Sequence, residues 1–427
     1  MARKMKDSGI EWIGEIPEGW EIKYFVQLFS QVKNKNIGLR EKNLLSLSYG
    51  KIKQKSIETV GGLLPDNFEG YNIIDRNDIV LRLTDLQNDQ HSLRVGLSPE
   101  RGIITSAYCS IRVRGAESPN YLYYYLHTFD IAKGFYGMGS GVRQGLNWDG
   151  LKYIKILLPP QHEQDRISVF LNQKTLEIDS ILSKTISSIE EYKKLKQAVI
   201  TQAVTKGVRG EREMKDSGVE WIGEIPAEWK LSRVGLHFSI ILGKMLCNAP
   251  LNDTYTLEPY YCAADVHFDG VADGERKKMW FSPIEKDLYR VSVGDLLVVE
   301  GGAGAGGSAI VEKQDSDTYV QNSIMIVRSK GNADNRYLRY LLEFLVKQGY
   351  IDVVCNKATI PHFTKDKLSC VPFCLCPTSE QKEIANYLDA KCAEIDKLIA
   401  KKEQLVKELE SYKKSLIYEV VTGKREV

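Results

Sequence analysis

The chain has 427 residues, 43% of them hydrophobic, and this length predicts two to four domains with ordinary apolar cores. Its 58 Lys and Arg residues nearly balance its 56 Asp and Glu residues, which excludes a uniformly basic chain and requires any affinity for nucleic acid to come from local patches. No apolar run reaches membrane-spanning length and the N-terminal segment has no apolar signal region, so we expect a cytoplasmic protein.

A repeated segment begins each half of the chain. Met5–Trp20 reads MKDSGIEWIGEIPEGW and Met214–Trp229 reads MKDSGVEWIGEIPAEW, with 13 of 16 positions identical at an offset of 209. A second pair, Leu157–Leu182 and Cys374–Ile399, aligns at an offset of 217. Two tandem halves, each with a repeat segment, a variable block and a helix, predict a pseudo-twofold fold, which would match the local symmetry of duplex DNA. We expect the paired tryptophans of the repeat segment to anchor it in a core: Trp12 with Trp221, and Trp20 with Trp229.

The variable blocks, residues 21–157 and 230–375, share a pattern although they share little identity. Each contains a turn followed by a strand, then a second strand, then a short amphipathic helix. In chain order these are Asn77–Leu81, Ala107–Val113 and Asn120–Leu126 in the first block, and Gly294–Val298, Ser323–Arg328 and Arg336–Leu342 in the second. Each block is therefore predicted to be a mixed α+β globule, and the different loops suggest two related but different ligands.

Polar loop residues in both blocks could contact DNA phosphates or base edges, since Arg and Lys suit phosphates or guanine and Asn and Gln suit adenine. A solvated surface charge is the alternative interpretation of each one. In the first block they are Lys33, Lys35, Arg40, Lys51, Lys53, Lys55, Arg82, Thr84, Arg94, Ser140, Arg143, Gln144 and Asn147. In the second block they are Lys244, Arg276, Lys277, Lys278, Gln321, Asn322, Lys357, Thr359 and His362. The blocks differ in charge, since residues 1–157 carry +4 and residues 213–377 carry −4.

Two stretches without proline or glycine, His162–Thr205 and Thr378–Thr422, predict two helices of roughly 65 Å. Each carries a coiled-coil-like apolar stripe of nine positions, equivalent at the offset of 217. The stripes are Ile167, Leu171, Ile178, Ile181, Leu182, Ile189, Tyr192, Leu195 and Val199, and Ile384, Leu388, Ile395, Leu398, Ile399, Val406, Leu409, Tyr412 and Leu416. Antiparallel pairing of the two helices would bury both stripes, and an intermolecular coiled coil is the alternative.

Two further patterns are ambiguous. Gly302–Gly307 matches GxGxxG, but the residues after it, SAIVEKQD, predict a strand instead of the helix that a dinucleotide site requires. A nucleotide loop, a loop approaching the DNA backbone and a plain glycine turn are the three interpretations. Cys370, Cys374 and Cys376, with Cys355 and His362 upstream, indicate either a metal site of unusual spacing or free thiols in a reducing compartment.

The order of these parts resembles the specificity (S) subunit of type I restriction–modification enzymes. The residues that carry the resemblance are DSGxEWIGEIPxxW at both starts, GVRQGLNWDGLKYIKILLPPQHEQ closing the first block, and PTSEQKEIANYLD opening the second helix. The second half has IPHFTKDKL where the first has QGLNWDGL. The resemblance implies an α+β fold in which two mixed α/β target-recognition domains are separated by a pair of long antiparallel coiled-coil helices.

The resemblance also implies domain boundaries and a role for each domain. Residues 1–157 and 213–375 would be the target-recognition domains, and residues 158–212 and 376–427 the conserved helical spacers. The chain would be a non-catalytic DNA-binding subunit that reads a two-part target and docks two methyltransferase (M) subunits as well as restriction (R) subunits. S-adenosylmethionine, ATP and Mg would then bind the partner subunits, and this chain would bind no cofactor or metal. A nucleotide-binding enzyme using Gly302–Gly307 and a protein-only coiled-coil scaffold are the alternative functions.

Overall fold

A computed structural model describes residues 3–56, 67–86, 93–138, 145–313, 316–355 and 361–427. The chain divides into two compact units. Unit 1 comprises Met1–Ile186 and Glu403–Val427, and unit 2 comprises Ser187–Lys402. The chain therefore leaves unit 1, forms unit 2 and returns. Within the part of the chain that the structure describes, no helix has the length and apolar character needed to cross a membrane.

Among the described residues, short strands and four helices come first in the chain. The strands are β1 Met5–Asp7, β2 Glu15–Pro17, β3 Glu21–Tyr24, β4 Phe29–Gln31, β5 Leu44–Ser48, β6 Lys51–Lys55, β7 Asn72–Ile74, β8 Ile79–Leu81, β9 Val95–Leu97, β10 Gly102–Ile104, β11 Cys109–Val113 and β12 Lys155–Leu158. The helices are α1 Phe25–Leu28, α2 Pro119–Ile131, α3 Trp148–Leu151 and α4 Gln161–Lys206, the last of which runs from unit 1 into unit 2.

The rest of the chain repeats this succession. The strands are β13 Met214–Asp216, β14 Glu224–Pro226, β15 Lys230–Arg233, β16 Phe238–Leu242, β17 Thr256–Tyr261, β18 Val266–His267, β19 Gly270–Val271, β20 Lys277–Phe281, β21 Leu296–Val299, β22 Ser308–Ile310, β23 Tyr319–Val320, β24 Ile324–Ser329 and β25 Pro372–Leu375. The helices are α5 Val234–His237, α6 Pro283–Tyr289, α7 Asn335–Lys347, α8 Tyr350–Val354, α9 Lys365–Cys370 and α10 Thr378–Val421, with a 3-10 turn at Ala263–Asp265.

One sheet order occurs in both units. In unit 1 a four-stranded antiparallel sheet has the order β4-β11-β8-β9, and in unit 2 the order β16-β24-β21-β22 uses the corresponding strands. A second sheet accompanies each, β6-β5-β10-β7 in unit 1 and β20-β17-β23 in unit 2. The strands predicted within Asn77–Leu81, Ala107–Val113, Gly294–Val298 and Ser323–Arg328 are confirmed as β8, β11, β21 and β24. These are the apolar strands that fill the sheet centres.

The predicted short helices exist as α2 and α7, but the expectation that α2 is amphipathic is wrong. Its residues from Tyr121 to Asp130 are buried except for the partly buried Tyr123. Ser118 caps its first turn by accepting a hydrogen bond from the Tyr121 N–H at 3.4 Å. A helix covered on all sides shows little polar periodicity, and its tyrosines satisfy their hydroxyl groups through specific partners.

The two long helices pair within each unit and with opposite chain direction. In unit 1, Ile167 and Leu171 of α4 share an apolar cluster with Val420 and Val421 of α10. In unit 2, a further cluster joins the other end of each helix and includes Ile200, Val204, Ile384 and Leu388. The prediction of two long helices paired antiparallel in one chain is therefore confirmed. The expectation that the stripes are completely buried is wrong at Ile181, Leu195 and Tyr412, which are 46%, 48% and 50% exposed. The surface that the two helices share includes fewer than the nine positions of each stripe.

Candidate nucleic-acid interface

The repeat segment is fixed to the start of a long helix in each unit. In unit 1 the Arg3 guanidinium and the Trp20 indole both donate to the carboxylate of Glu163, at 2.7 and 3.1 Å. Partial burial opposes ionisation of this carboxyl group, but the two donors hold the pKa of Glu163 below its usual value. In unit 2, Arg212 donates to Glu380 at 2.7 Å. Trp20 and Trp229 are buried, as predicted for anchors of this segment.

In each unit a tyrosine hydroxyl also joins a short helix, α2 or α7, to the end of a long helix. The Tyr121 hydroxyl lies 3.1 Å from the carbonyl oxygen of Leu157 and 3.3 Å from that of Val421. In unit 2 the Tyr337 hydroxyl lies 3.0 Å from the Cys374 carbonyl and 3.4 Å from the Val204 carbonyl. These contacts hold α2 against the end of α10 in unit 1 and α7 against the end of α4 in unit 2.

Two loops meet at one end of the central sheet in unit 1. The first loop, Arg82–Leu86, follows β8, and the second, Gly145–Asn147, precedes α3. The Leu146 N–H donates to the Leu83 carbonyl at 2.8 Å, which places the two loops side by side. Thr84 is exposed on the first loop, and Asn147 is exposed on the second while its side-chain oxygen accepts from the Gly150 N–H at 3.1 Å. Candidates from distant parts of the sequence are thus brought together.

The corresponding loops meet in unit 2. The first is Glu300–Gly307 after β21, and the second is residues 361–364 before α9. The Phe363 N–H donates to the Glu300 carbonyl at 2.6 Å, and the Gly302 N–H donates to the Pro361 carbonyl at 3.1 Å. His362 is exposed at this junction, with its Nδ1 atom 3.2 Å from the Glu300 carboxylate. We name these two meeting points the loop junction of unit 1 and the loop junction of unit 2.

A lysine-rich edge strand lies apart from the junction in unit 1. Lys51, Lys53 and Lys55 alternate along β6, are exposed and project from one face of the strand. Lys51 pairs with Asp179 of α4 at 2.8 Å, which fixes the start of the strand to the long helix. Lys35 donates to the Gly70 carbonyl at 2.8 Å, and Lys33 and Arg40 are exposed. This strand and the segment before β5 offer positive charge for phosphate contacts.

Three predicted contact residues use their charged groups inside the protein. Arg94 is 0% exposed, and its guanidinium donates to backbone carbonyls of the loop Arg82–Leu86. Lys244 is 8% exposed and pairs with Glu285 at 2.6 Å, with its ammonium 5.3 Å from the Phe281 ring centre. Arg276 is partly buried and pairs with Asp265 at 3.2 Å. In this conformation the three cations organise the fold from within.

The remaining candidates of unit 2 lie on or beside its second sheet. Lys277 and Lys278 are exposed on β20, and Gln321 and Asn322 follow β23 and are partly buried. The Asn322 N–H donates to the Lys244 carbonyl at 2.8 Å, so these two candidates adjoin in space. Ser140, Arg143, Gln144, Lys357 and Thr359 lie outside the described residues.

Trp280 is not among the contact residues predicted from the sequence. Trp280 and Lys278 alternate along β20 and share one face, with the half-exposed Leu257 of β17 opposite the tryptophan. An aromatic ring beside an ammonium on a sheet face is a surface suited to a base or a sugar. The alternation of residues in KKMWF is the sequence pattern that could have predicted this surface. Met279 and Phe281 are buried, while Lys278 and Trp280 point the other way.

The cysteines are free thiols, and Cys355, Cys374 and Cys376 are buried. Burial raises the pKa of the Cys374 thiol to about 12, which favours the neutral thiol. Among the residues that the structure describes, no three His, Cys, Asp or Glu side chains are grouped to hold a metal ion.

Comparisons with known proteins agree on one family. A family model described as the type I restriction modification DNA specificity domain matches residues 239–408. A Methanocaldococcus jannaschii protein named as the specificity subunit of the MjaX type I restriction enzyme is 27% identical, over 96% of this chain and 95% of that protein. The MjaVIII specificity subunit of the same organism is 23% identical, over 96% and 93% of the two chains.

Solved structures have a similar fold. A chain from a study of complex assembly and conformational transition of the type I R-M system aligns with a TM-score of 0.69 at 17% identity, over 96% of this chain and 99% of that one. The HsdS subunit from Thermoanaerobacter tengcongensis aligns with a TM-score of 0.53 at 16% identity, over 96% and 98%. At these identities the likeness concerns the fold alone. Together the matches confirm the resemblance predicted from the sequence.

Proposed function

We propose that this chain is a specificity subunit of a type I restriction–modification enzyme, that it selects a two-part DNA target and that it catalyses no step itself. One observation supports the proposal that each unit contains its own DNA-recognition domain. The hydrogen bond from Leu146 to Leu83 in unit 1 and that from Phe363 to Glu300 in unit 2 join residues that are equivalent at the offset of 217. The same junction is thus built twice, with different side chains.

Each junction supplies the chemistry that direct readout needs. Exposed hydroxyl, amide and imidazole groups at Thr84, Asn147 and His362 can exchange hydrogen bonds with base edges. The lysines of β6 can hold phosphates and set the register, while carrying no sequence information. Because the side chains of the two junctions differ, unit 1 and unit 2 would read different half-sites.

We assign residues 1–157 and 213–375 to DNA recognition and residues 158–212 and 376–427 to the conserved helical spacers. The helices would dock two M subunits, and R subunits would complete the enzyme. S-adenosylmethionine, ATP and Mg would bind those partners, which would flip and methylate an adenine in the target. Such an assembly works on chromosomal DNA in the cytoplasm. The partly exposed stripe positions Leu195 and Tyr412 support a further protein surface on the helices.

The alternative of a nucleotide-binding enzyme has less support. The glycine run Gly302–Gly307 is followed by strand β22, as expected, whereas a dinucleotide site places the pyrophosphate at a helix N-terminus. The Gly306 N–H donates to the Val299 carbonyl and the Gly307 N–H to the Gly304 carbonyl, at 3.0 and 2.8 Å. These donors, which a phosphate loop would use for its ligand, are occupied within the turn.

Exchange of one recognition domain tests the proposal. We would replace residues 21–157 with the equivalent block of another specificity subunit and sequence the methylome of cells that express it with M subunits. We expect one half of the methylated motif to change while the other half and the number of unspecified bases stay the same. A motif that is unchanged, or altered in both halves, contradicts two separate readers.

A further inference from the structure

We infer that Arg94 is a positioning residue that sets the sequence specificity of unit 1 by holding the loop Arg82–Leu86 from inside the protein. The inference rests on the proposed function, because it takes this loop as part of a DNA reader. The sequence suggested that Arg94 contacts DNA directly. Its complete burial and its contacts give it a different task.

The Arg94 guanidinium binds three backbone carbonyl groups of the loop. Its Nη1 atom donates to the carbonyl oxygens of Arg82 and Thr84 at 3.1 and 2.8 Å. Its Nη2 atom donates to the carbonyl oxygen of Asp85 at 3.1 Å. A planar group with five donors can hold several acceptors in a fixed arrangement, which a lysine ammonium cannot reproduce.

The loop needs this support because its backbone departs from ordinary conformations. Asp85 has φ +58°, a left-handed conformation that costs free energy in a residue other than glycine. The Asp85 carbonyl is one of the three acceptors of Arg94, so the guanidinium stabilises the loop at the unusual residue. The peptide groups around Thr84 are thereby oriented, and with them the exposed Thr84 side chain.

The guanidinium is itself held from behind. Its Nε atom donates to the Tyr136 hydroxyl at 3.1 Å, and its central carbon lies 5.1 Å from the Tyr136 ring centre. The Arg94 N–H donates to the carboxylate of Asp130, a residue 2% exposed, at 2.6 Å. Asp130 of α2 and Tyr136, which follows α2, therefore hold Arg94 in place, and Arg94 holds the loop. Burial of a cation costs free energy even when the cation is hydrogen-bonded, which argues for a purpose beyond simple packing.

The position of the loop connects this network to recognition. Leu83, between two of the bonded carbonyls, accepts the hydrogen bond from Leu146 that forms the loop junction of unit 1. Disturbance of Arg94 would shift both loops of the junction. We therefore expect a loss of discrimination in one half-site, with little change in the number of phosphate contacts.

The test uses the complete methyltransferase complex and the duplex defined by its own methylome. A single wrong base pair costs specific binding roughly 5- to 150-fold. For Arg94→Lys, which keeps the charge, we expect this penalty to fall at least about fivefold in the half-site read by unit 1. The penalty in the other half-site and the salt dependence of binding should stay unchanged. A direct phosphate contact would instead leave discrimination intact in the lysine variant.

A matched control separates positioning from general stability. Arg112 of the same unit binds Asp78 through two hydrogen bonds of 2.7 Å and touches no loop carbonyl of the junction. Arg112→Lys should lower the unfolding temperature and leave discrimination in both half-sites as in the wild type. Unchanged discrimination in a folded Arg94→Lys complex overturns the inference.

A second variant covers the case in which Arg94→Lys does not fold. Tyr136→Phe removes one acceptor of the guanidinium and keeps the ring. We expect the mismatch penalty in the unit 1 half-site to fall at least about twofold, and full wild-type discrimination would again overturn the inference. Failure of the proposed function looks different, since the wild-type complex would then yield no two-part methylated motif at all.

Discussion

Asp179 of α4 accepts a hydrogen bond from Lys413 of α10 at 2.5 Å within unit 1. In unit 2, Lys196 of α4 donates to Asp396 of α10 at 2.6 and 2.8 Å. Asp179 and Asp396 are equivalent at the offset of 217, and so are Lys196 and Lys413. Each helix therefore supplies the acid in one unit and the base in the other, which fixes the same register of helix pairing twice.

The Asp179 pair predicts a salt-sensitive contribution to the stability of unit 1. Burial opposes ionisation of the carboxyl group, but the bonds from Lys413 and Lys51 lower the pKa of Asp179. A lowered carboxyl pKa stabilises the fold above the unfolded value of about 3.9 and loses this effect as the pH falls through the lower folded pKa. We expect Asp179→Asn to cost about 0.5–1 kcal/mol at pH 7, less in 1 M NaCl.

The measurement is hydrogen exchange of α4 residues 161–186 at two salt concentrations. The surface pair of Lys174 and Glu177, at 2.7 Å in the same stretch of α4, provides the control, and Glu177→Gln should leave exchange nearly unchanged. An effect of Asp179→Asn that persists undiminished at high salt would show that the carboxylate acts through something other than charge.

His127 predicts acid sensitivity of unit 1 at mild pH. Burial, and then the charges of Lys413 and Lys414, lower the pKa of His127 to about 4. Below about pH 6.5 the unfolded chain binds a proton at this residue while the folded chain does not, so the free energy of unfolding falls from pH 6.5 towards pH 4. The full difference is on the order of 3 kcal/mol.

His127→Phe should therefore flatten the dependence of unit 1 stability on pH between 7 and 5. Among the described residues the buried Nδ1 atom of His127 has no hydrogen-bond partner, so its removal leaves none of their groups unsatisfied. Denaturant unfolding at several pH values measures the slope, and His162→Gln, at an exposed residue of α4, serves as the control. Equal slopes for His127→Phe and the wild type would place the acid sensitivity elsewhere.

The Tyr121 hydroxyl predicts a measurable link between α2 and the end of α10. Tyr121→Phe leaves a buried carbonyl of Leu157 or Val421 without its donor, which costs about 1–3 kcal/mol. Hydrogen exchange of α2 and of residues 416–422 should accelerate together. Tyr153→Phe, at a side chain 77% exposed, is the matched control and should change neither. Acceleration confined to α2 would contradict a link to the second helix.

The two long helices could be predicted because more than 40 residues without proline or glycine carry one apolar period. The strands β8, β11, β21 and β24 were equally clear, since apolar runs follow turn residues. The burial of Arg94 and Lys244 was not predictable. Their partners are loop carbonyls and Glu285, 41 residues from Lys244, and no local pattern records such contacts. The exposure of Leu195 and Tyr412 likewise depends on how wide the shared helix surface is.

The equivalent register of the helix pairs suggests how to test a spacer role for the helices. One heptad inserted after Lys184 and one after Lys401 occupy positions equivalent at the offset of 217 and preserve both Asp–Lys pairs. Seven residues add about 10 Å of helix, close to three base pairs. We expect both half-sites to persist with about three more unspecified base pairs between them, measured by methylome sequencing. An insertion in α4 alone breaks the register and should abolish methylation.

We propose that this chain alone decides which DNA sequence its complex modifies. The most direct measurement is methylome sequencing of a host without other adenine methylation, expressing the M subunits with or without this chain. We predict a single two-part motif with unspecified bases between its halves, present only when the chain is expressed. Methylation of the same motif without the chain, or a continuous motif with it, would contradict a role of this chain in selecting a two-part target.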